Sequence, residues 1–107
     1  MTDFIHTVQM DDTSLCDDLL LYYDKNNEYK QRGLSDGGDK KSTDVVVHSG
    51  TRDATAINYL DFLTSAVESY REKYDAFTFP LGFSEPWLIQ HYEPGEGFPA
   101  WHCERAC

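Results

Sequence analysis

Apolar residues recur along the chain in two rhythms, one helical and one alternating, and these divide it into elements. Leu15, Leu19, Tyr22 and Tyr23 fall at helical spacing behind Asp11, Asp12, Thr13 and Ser14. Those four polar side chains can cap free backbone N–H groups, so an amphipathic helix is predicted over 14–25. Asp17 and Asp18 in its first turn suit the positive end of the helix dipole, and Asn26 and Asn27 end it. The clearest stripe comes later. Leu60, Leu63, Val67, Tyr70 and Tyr74 line one face of a helix predicted over 55–74, with Ala56 and Ala66 nearby.

The strand signals are shorter. The β-branched run "DVVVH" at 44–48 and "PWLIQHY" at 86–92 each read as a strand. "AWHCE", 100–104, reads as a further strand after the tight turn region "EPGEGFP". Residues 28–43, polar and rich in Gly and Asp, read as a loop around Gly37 and Gly38, and "FTFPLGF" at 77–83 as a second loop. The pattern as a whole predicts an α+β fold.

Composition narrows the function classes. The chain has 107 residues, 40% of them hydrophobic, which is one domain's worth. There are 19 acidic residues against 9 basic ones, a net charge of −10. Phosphate contacts need clustered Lys and Arg, so no nucleic-acid partner is expected, and an anionic membrane surface is equally disfavoured. The chain has no long apolar run of the kind that spans a bilayer, and its start lacks the basic and apolar regions of a signal peptide. Cys16, Cys103 and Cys107 make no paired framework, so the expectation is a reducing, cytoplasmic setting with free thiols.

The densest chemistry is "HYEPGEGFPAWHCERAC", 91–107. His102 and Glu104 are two residues apart, and in a strand both side chains point to one face with Cα atoms roughly 6.5 Å apart. A metal ion can take imidazole and carboxylate from such a pair, which is two-thirds of a 2-His-1-carboxylate triad. Other residues have plainer readings. His91 alternates away from Tyr92 and reads as a partly buried or surface histidine. Trp87 and Trp101 read as sheet-packing aromatics, Cys16 as a small core residue, and Lys40 and Lys41 as a solvated loop pair. Cys103 and Cys107 with His102 form only a zinc half-site, without a second ligand cluster.

The segment "IQHYEPGEGFPAWHCER" resembles the start of the catalytic core of the Fe(II)/2-oxoglutarate-dependent dioxygenases, above all the prolyl 4-hydroxylase-like branch. In that pattern a strand ends in Tyr, a Pro/Gly-rich turn follows, and the next strand carries His-x-Asp or His-x-Glu. Here these are Tyr92, Pro94–Gly97, and His102 with Glu104. "DKKSTDVVV" and "YREKY" are similar to the N-terminal region of small microbial and phage members.

The resemblance implies N-terminal helices packed on the first strands of a double-stranded β-helix, or jelly roll. Residues 1–85 would be helical support and 86–107 the start of the β-helix core, all within one domain. It implies His102 and Glu104 as Fe(II) ligands, Tyr92 as a hydrogen-bond donor to 2-oxoglutarate, and Gln90 as a pocket residue on the same strand face. The activity would couple oxidative decarboxylation of 2-oxoglutarate to hydroxylation of a C–H bond by O₂. The substrate would be a peptide, a protein or a small molecule, with ascorbate as an accessory reductant. The pattern also includes a distal histidine and an Arg or Lys for the far carboxylate of 2-oxoglutarate. Both come much later in that pattern, and no residue downstream of Glu104 here supplies either role, so the expectation is a truncated β-helix that is inactive alone. The competing expectation is a small acidic, non-enzymatic binding module that docks a partner, or self-associates, through open strand edges.

Overall fold

A computed structural model describes residues 3–33, 39–76 and 86–102. The loops expected around Gly37–Gly38 and over 77–83 lie outside these residues. Helix α1, Ser14–Lys25, matches its expected bounds, and α2, Ala54–Lys73, lies within one residue of its own. Asp53 caps α2 by accepting from the Thr55 and Ala56 N–H groups, the arrangement that satisfies otherwise orphaned donors. At α1 the N-cap Thr13 makes no side-chain cap bond, and Asp12 instead accepts from the Ser14 N–H at 3.0 Å. That bond holds the Asp12 carboxyl below its ordinary range.

Three strands form one antiparallel sheet in the order β1–β2–β3: Lys30–Arg32, Thr43–Val47 and Trp87–His91. The molecule is therefore α+β. β1 lies inside the stretch expected to be a loop. "KQR" has neither β-branched nor alternating apolar residues, and it becomes a strand only because Lys30, Gln31 and Arg32 pair with Val45, Asp44 and Thr43. Its two cations sit on an outer strand, where positive charge discourages further pairing.

Residues directly opposite across a ladder share a face, and the register pairs Thr43 with His91, Val45 with Ile89, and Val47 with Trp87. This face meets the helices. Tyr23 of α1 lies over His91, ring centroids 5.7 Å apart, and donates its hydroxyl to the Thr43 carbonyl at 3.2 Å. Tyr59 of α2 packs on Trp87 at 4.8 Å. Val45, Val47 and Ala56 are buried between them. The C-terminal end of the α2 stripe serves another purpose. Tyr70 and Tyr74 donate their hydroxyls to the carbonyls of Phe4 and Ile5, tying the N-terminal segment along the helix.

The opposite face carries Gln31, Asp44, Val46, Leu88 and Gln90, with Leu88 exposed and Asp44 buried. Asp44 accepts the Ser42 hydroxyl at 2.7 Å and pairs with the Lys40 ammonium at 3.5 Å. The side chains of Lys40 and Asp44 are only 8% and 4% exposed, so Lys40 is not the solvated loop residue expected from the sequence. Gly33 closes this knot. Its N–H donates to the Ser42 carbonyl, and a Cβ there would collide with the Ser42 hydroxyl.

Two further expectations are corrected. Cys16 is exposed on α1, with its thiol 3.9 Å from the Met10 sulfur. Trp101 is fully exposed rather than packed on a sheet. No helix among the described residues is long and apolar enough to cross a membrane.

Removing one member of a buried ion pair strands the other charge, whereas replacing both with apolar groups does not. Asp44→Ala is expected to lower unfolding free energy by about 3 kcal/mol in urea titrations. The double replacement Lys40→Met/Asp44→Leu should cost much less. Equal losses for the two variants would mean that the ion pair is not what the single substitution breaks.

Candidate functional site

The region around 90–102 is built from the end of β3 outward. Strand alternation puts Gln90 and Tyr92 on the face turned away from the helices, and the Tyr92 hydroxyl donates to Gln90 Oε1 at 3.4 Å. Both side chains are exposed. The shared side expected for these two residues is therefore present. His91 points to the helix face, is exposed, and lies 2.9 Å from Glu93 Oε1 through its Nε2.

The chain then reverses. Glu96 N–H donates to the Glu93 carbonyl at 2.9 Å, with Pro94 and Gly95 between and Gly95 at φ +86°. This is a type II turn, in which proline presets the second position and glycine takes the left-handed third. The Glu96 carboxylate ties it down twice. Oε1 accepts from the Glu93 N–H at 3.1 Å, and Oε2 pairs with Arg32 of β1 at 3.3 Å. One residue on, the Gly97 carbonyl accepts from the Lys41 N–H at 2.8 Å. The turn thus folds back over the β1–β2 end of the sheet.

His102 lies five residues beyond that anchor. Its ring stacks on Phe98 with centroids 4.0 Å apart and planes 6° from parallel. Its Nδ1 is 2.9 Å from the Ala100 carbonyl. A carbonyl can only accept, so Nδ1 carries the proton in this contact. Metal-binding histidines are commonly oriented in this way, by donating the second ring N–H to a carbonyl. The imidazole is exposed.

The expected strand over 100–104 is not formed in its described part. Ala100 is a bend, and both Trp101 and His102 are exposed in succession, so alternation no longer orders these side chains. The local hydrogen bond to Ala100 and the stack on Phe98 take over that task. Glu104 and Cys103 lie outside the described residues. Among the described residues, no group of three His, Cys, Asp or Glu side chains is placed to hold a metal.

One contact of this region was invisible in the sequence. The Arg32–Glu96 pair joins residues 64 apart. The Lys40–Ser42–Asp44 knot did leave a trace, since the three residues share one strand parity, but their polarity argued for solvent. No protein-family model, curated protein or solved structure matches the chain.

Beneath the turn, Tyr23 is buried and its phenol is pushed above the ordinary tyrosine value, first by desolvation and then by Asp44, Asp24, Glu93 and Glu96. A raised folded-state value favours the protonated phenol. Its stabilisation is fully present below pH 10 and is lost as pH rises through the higher folded value. Tyr23→Phe is expected to lower stability at neutral pH by about 1 kcal/mol, the usual net worth of one hydrogen bond. It should also flatten the alkaline decline. Chemical denaturation at pH 7 and across the tyrosine range reads both effects, and an unchanged alkaline slope would count against the assignment.

Proposed function

We propose that this chain forms the N-terminal part of an Fe(II)- and 2-oxoglutarate-dependent oxygenase of the prolyl 4-hydroxylase-like kind. In this reading the sheet is the first layer of a double-stranded β-helix. The observation that carries it is the ordering of His102 just after the Tyr92 strand end and the Pro94–Gly95 turn. Its Nδ1 lies 2.9 Å from the Ala100 carbonyl, and the residue is exposed. The helices cover one face of the sheet, and Gln90 and Tyr92 stand exposed on the other. In a β-helix, these two residues would line the pocket.

Each residue then has a definite task. His102 supplies a nitrogen ligand held in one tautomer, and Glu104 supplies the carboxylate. Tyr92 has a long, replaceable bond to Gln90. Its hydroxyl can exchange that partner for a 2-oxoglutarate carboxylate, a stronger acceptor because it is charged. Gln90, beside it, borders the same space. Iron, when bound, supplies the O₂-dependent oxidation of a C–H bond coupled to decarboxylation of 2-oxoglutarate. The activity also requires a third ligand and a cation for the far carboxylate of 2-oxoglutarate. A peptidyl proline is the first substrate class to test.

Mn(II), a paramagnetic stand-in for Fe(II), tests the metal reading without turnover. Its titration should selectively broaden the NMR signals of the His102 ring. His102→Ala should weaken binding by at least about tenfold, since even outer-shell losses cost that much. With Fe(II) and 2-oxoglutarate, residues 1–107 alone should release no succinate. Broadening that spares His102 would overturn the ligand assignment, and succinate release would overturn the need for further strands.

A second reading, a small acidic module that docks by strand pairing, is favoured by two observations. Trp101 is fully exposed, and β3 has β2 as its only strand neighbour among the described residues. It predicts a mass that rises with concentration in light scattering. A monomer at every concentration, with one cooperative melt, counts against it.

A further inference from the structure

We infer that β3 is a docking edge for a second copy of this chain. Two β3 strands pair antiparallel about a twofold axis at Ile89, and two three-stranded sheets become one. The inference rests on the strand-docking reading above and names its partner and its register. The two edges of the sheet differ. The outer strand β1 is three residues long and carries Lys30 and Arg32. β3 runs for five residues, Trp87–His91, and none of them is Lys, Arg, Asp or Glu. All five pair in sequence with β2, so no bulge bends the strand. Among the described residues, β2 is its only strand neighbour. Charge, shortness and bulges are the usual means of protecting an edge. β1 has the first two, and β3 has none.

The edge is complementary to itself, which selects a second copy as the partner. One antiparallel register pairs all five residues: Ile89 opposite Ile89, Leu88 opposite Gln90, and Trp87 opposite His91 of the other copy. Residues directly opposite share a face, so this register keeps both pairs of helices on one side of the joint sheet. Trp87 packs under Tyr59, and His91 under Tyr23. Setting Trp87 beside the other copy's His91 continues these contacts as one row of rings across the joint. On the other face, Leu88, 43% exposed, gains Gln90 as a cover. No like charges stand opposite each other, although each copy carries a net −10. The paired stretch is short, so the dimer is weak, and salt strengthens it by screening the net repulsion. A twofold joint uses up both β3 edges and leaves the guarded β1 edges outermost, so assembly stops at two copies.

Sedimentation of the full chain should show a mass that rises with concentration and with salt, from one copy to two and no further. Disulfide trapping reads the register, in a full chain carrying Cys16→Ser, Cys103→Ser and Cys107→Ser and first checked for a cooperative melt. Leu88→Cys mixed with Gln90→Cys should cross-link, since directly opposed Cα atoms lie about 4.5–5.5 Å apart, within disulfide reach. Leu88→Cys alone should cross-link at least about tenfold less, because its two copies stand on a diagonal of roughly 7–8 Å. The double variant Leu88→Lys/Gln90→Lys sets lysines opposite each other and should weaken dimerisation about tenfold. Overall charge works the other way, since added lysines lower the net repulsion. Dimers that ignore the lysines, or that cross-link through Leu88→Cys alone as readily as through the mixed pair, leave association standing and overturn the β3 joint. Assembly beyond two copies overturns it as well, because it needs an edge that the twofold joint has consumed. A monomer at every concentration and salt, without the 88–90 cross-link, overturns both the inference and the reading beneath it. Should the lysine variant fail to fold, the trapping comparison decides alone.

Discussion

Burial of β2 on both faces, by opposite means, is the constraint on which the rest of the structure depends. Toward the helices, Val45 and Val47 are removed from water with Ala56, the ordinary hydrophobic driving force. Away from the helices, Asp44 is removed from water too, at a cost that only close partners offset. Ser42 and Lys40 meet that cost, and Gly33 lets the β1 end approach closely enough to shut the knot. A short central strand can therefore order both neighbours. β1, with no strand propensity of its own, is held by pairing to β2, and β3 takes its register from the same strand.

That register reaches the candidate site directly. Pairing Thr43 with His91 fixes which residues of β3 face the helices, and so sends Gln90 and Tyr92 to the other side. It also ends β3 beside Arg32 and Lys41, within reach of Glu96 and Gly97. The polar turn is thus moored to β1 and to the chain entering β2. Acidic groups gathered there, Glu93, Glu96 and Asp44, also act on the phenol of Tyr23 below. Packing, electrostatics and the placement of His102 are consequences of one strand alignment.

Much of this was legible from residue pattern. The two helices follow from their periodicity. "EPGE" reads as a turn because proline and glycine occupy the positions that a type II turn demands, and Gly95 takes that conformation. The shared side of Gln90 and Tyr92 follows from alternation alone. The expected strand over 100–104 fails in its described part because alternation presupposes a ladder, and Trp101 and His102 have none among the described residues. Lys40 was misread because a lysine next to glycines and aspartates looks solvated until a buried carboxylate is brought to it.

By itself, then, the sequence determined the α+β class, the helix bounds, the turn chemistry and the residues with ligand character. These depend on local spacing and on backbone preferences that act within a few residues. Tertiary structure alone decided that "KQR" is a strand, that Asp44 and Lys40 are buried together, and that Glu96 meets Arg32. Each of those depends on residues distant in the chain whose meeting no local preference encodes. The orientation of His102 lies between the two. Phe98 and Ala100, which meet its ring, are near in sequence, while the turn before them is moored to Arg32 and Lys41, more than fifty residues earlier.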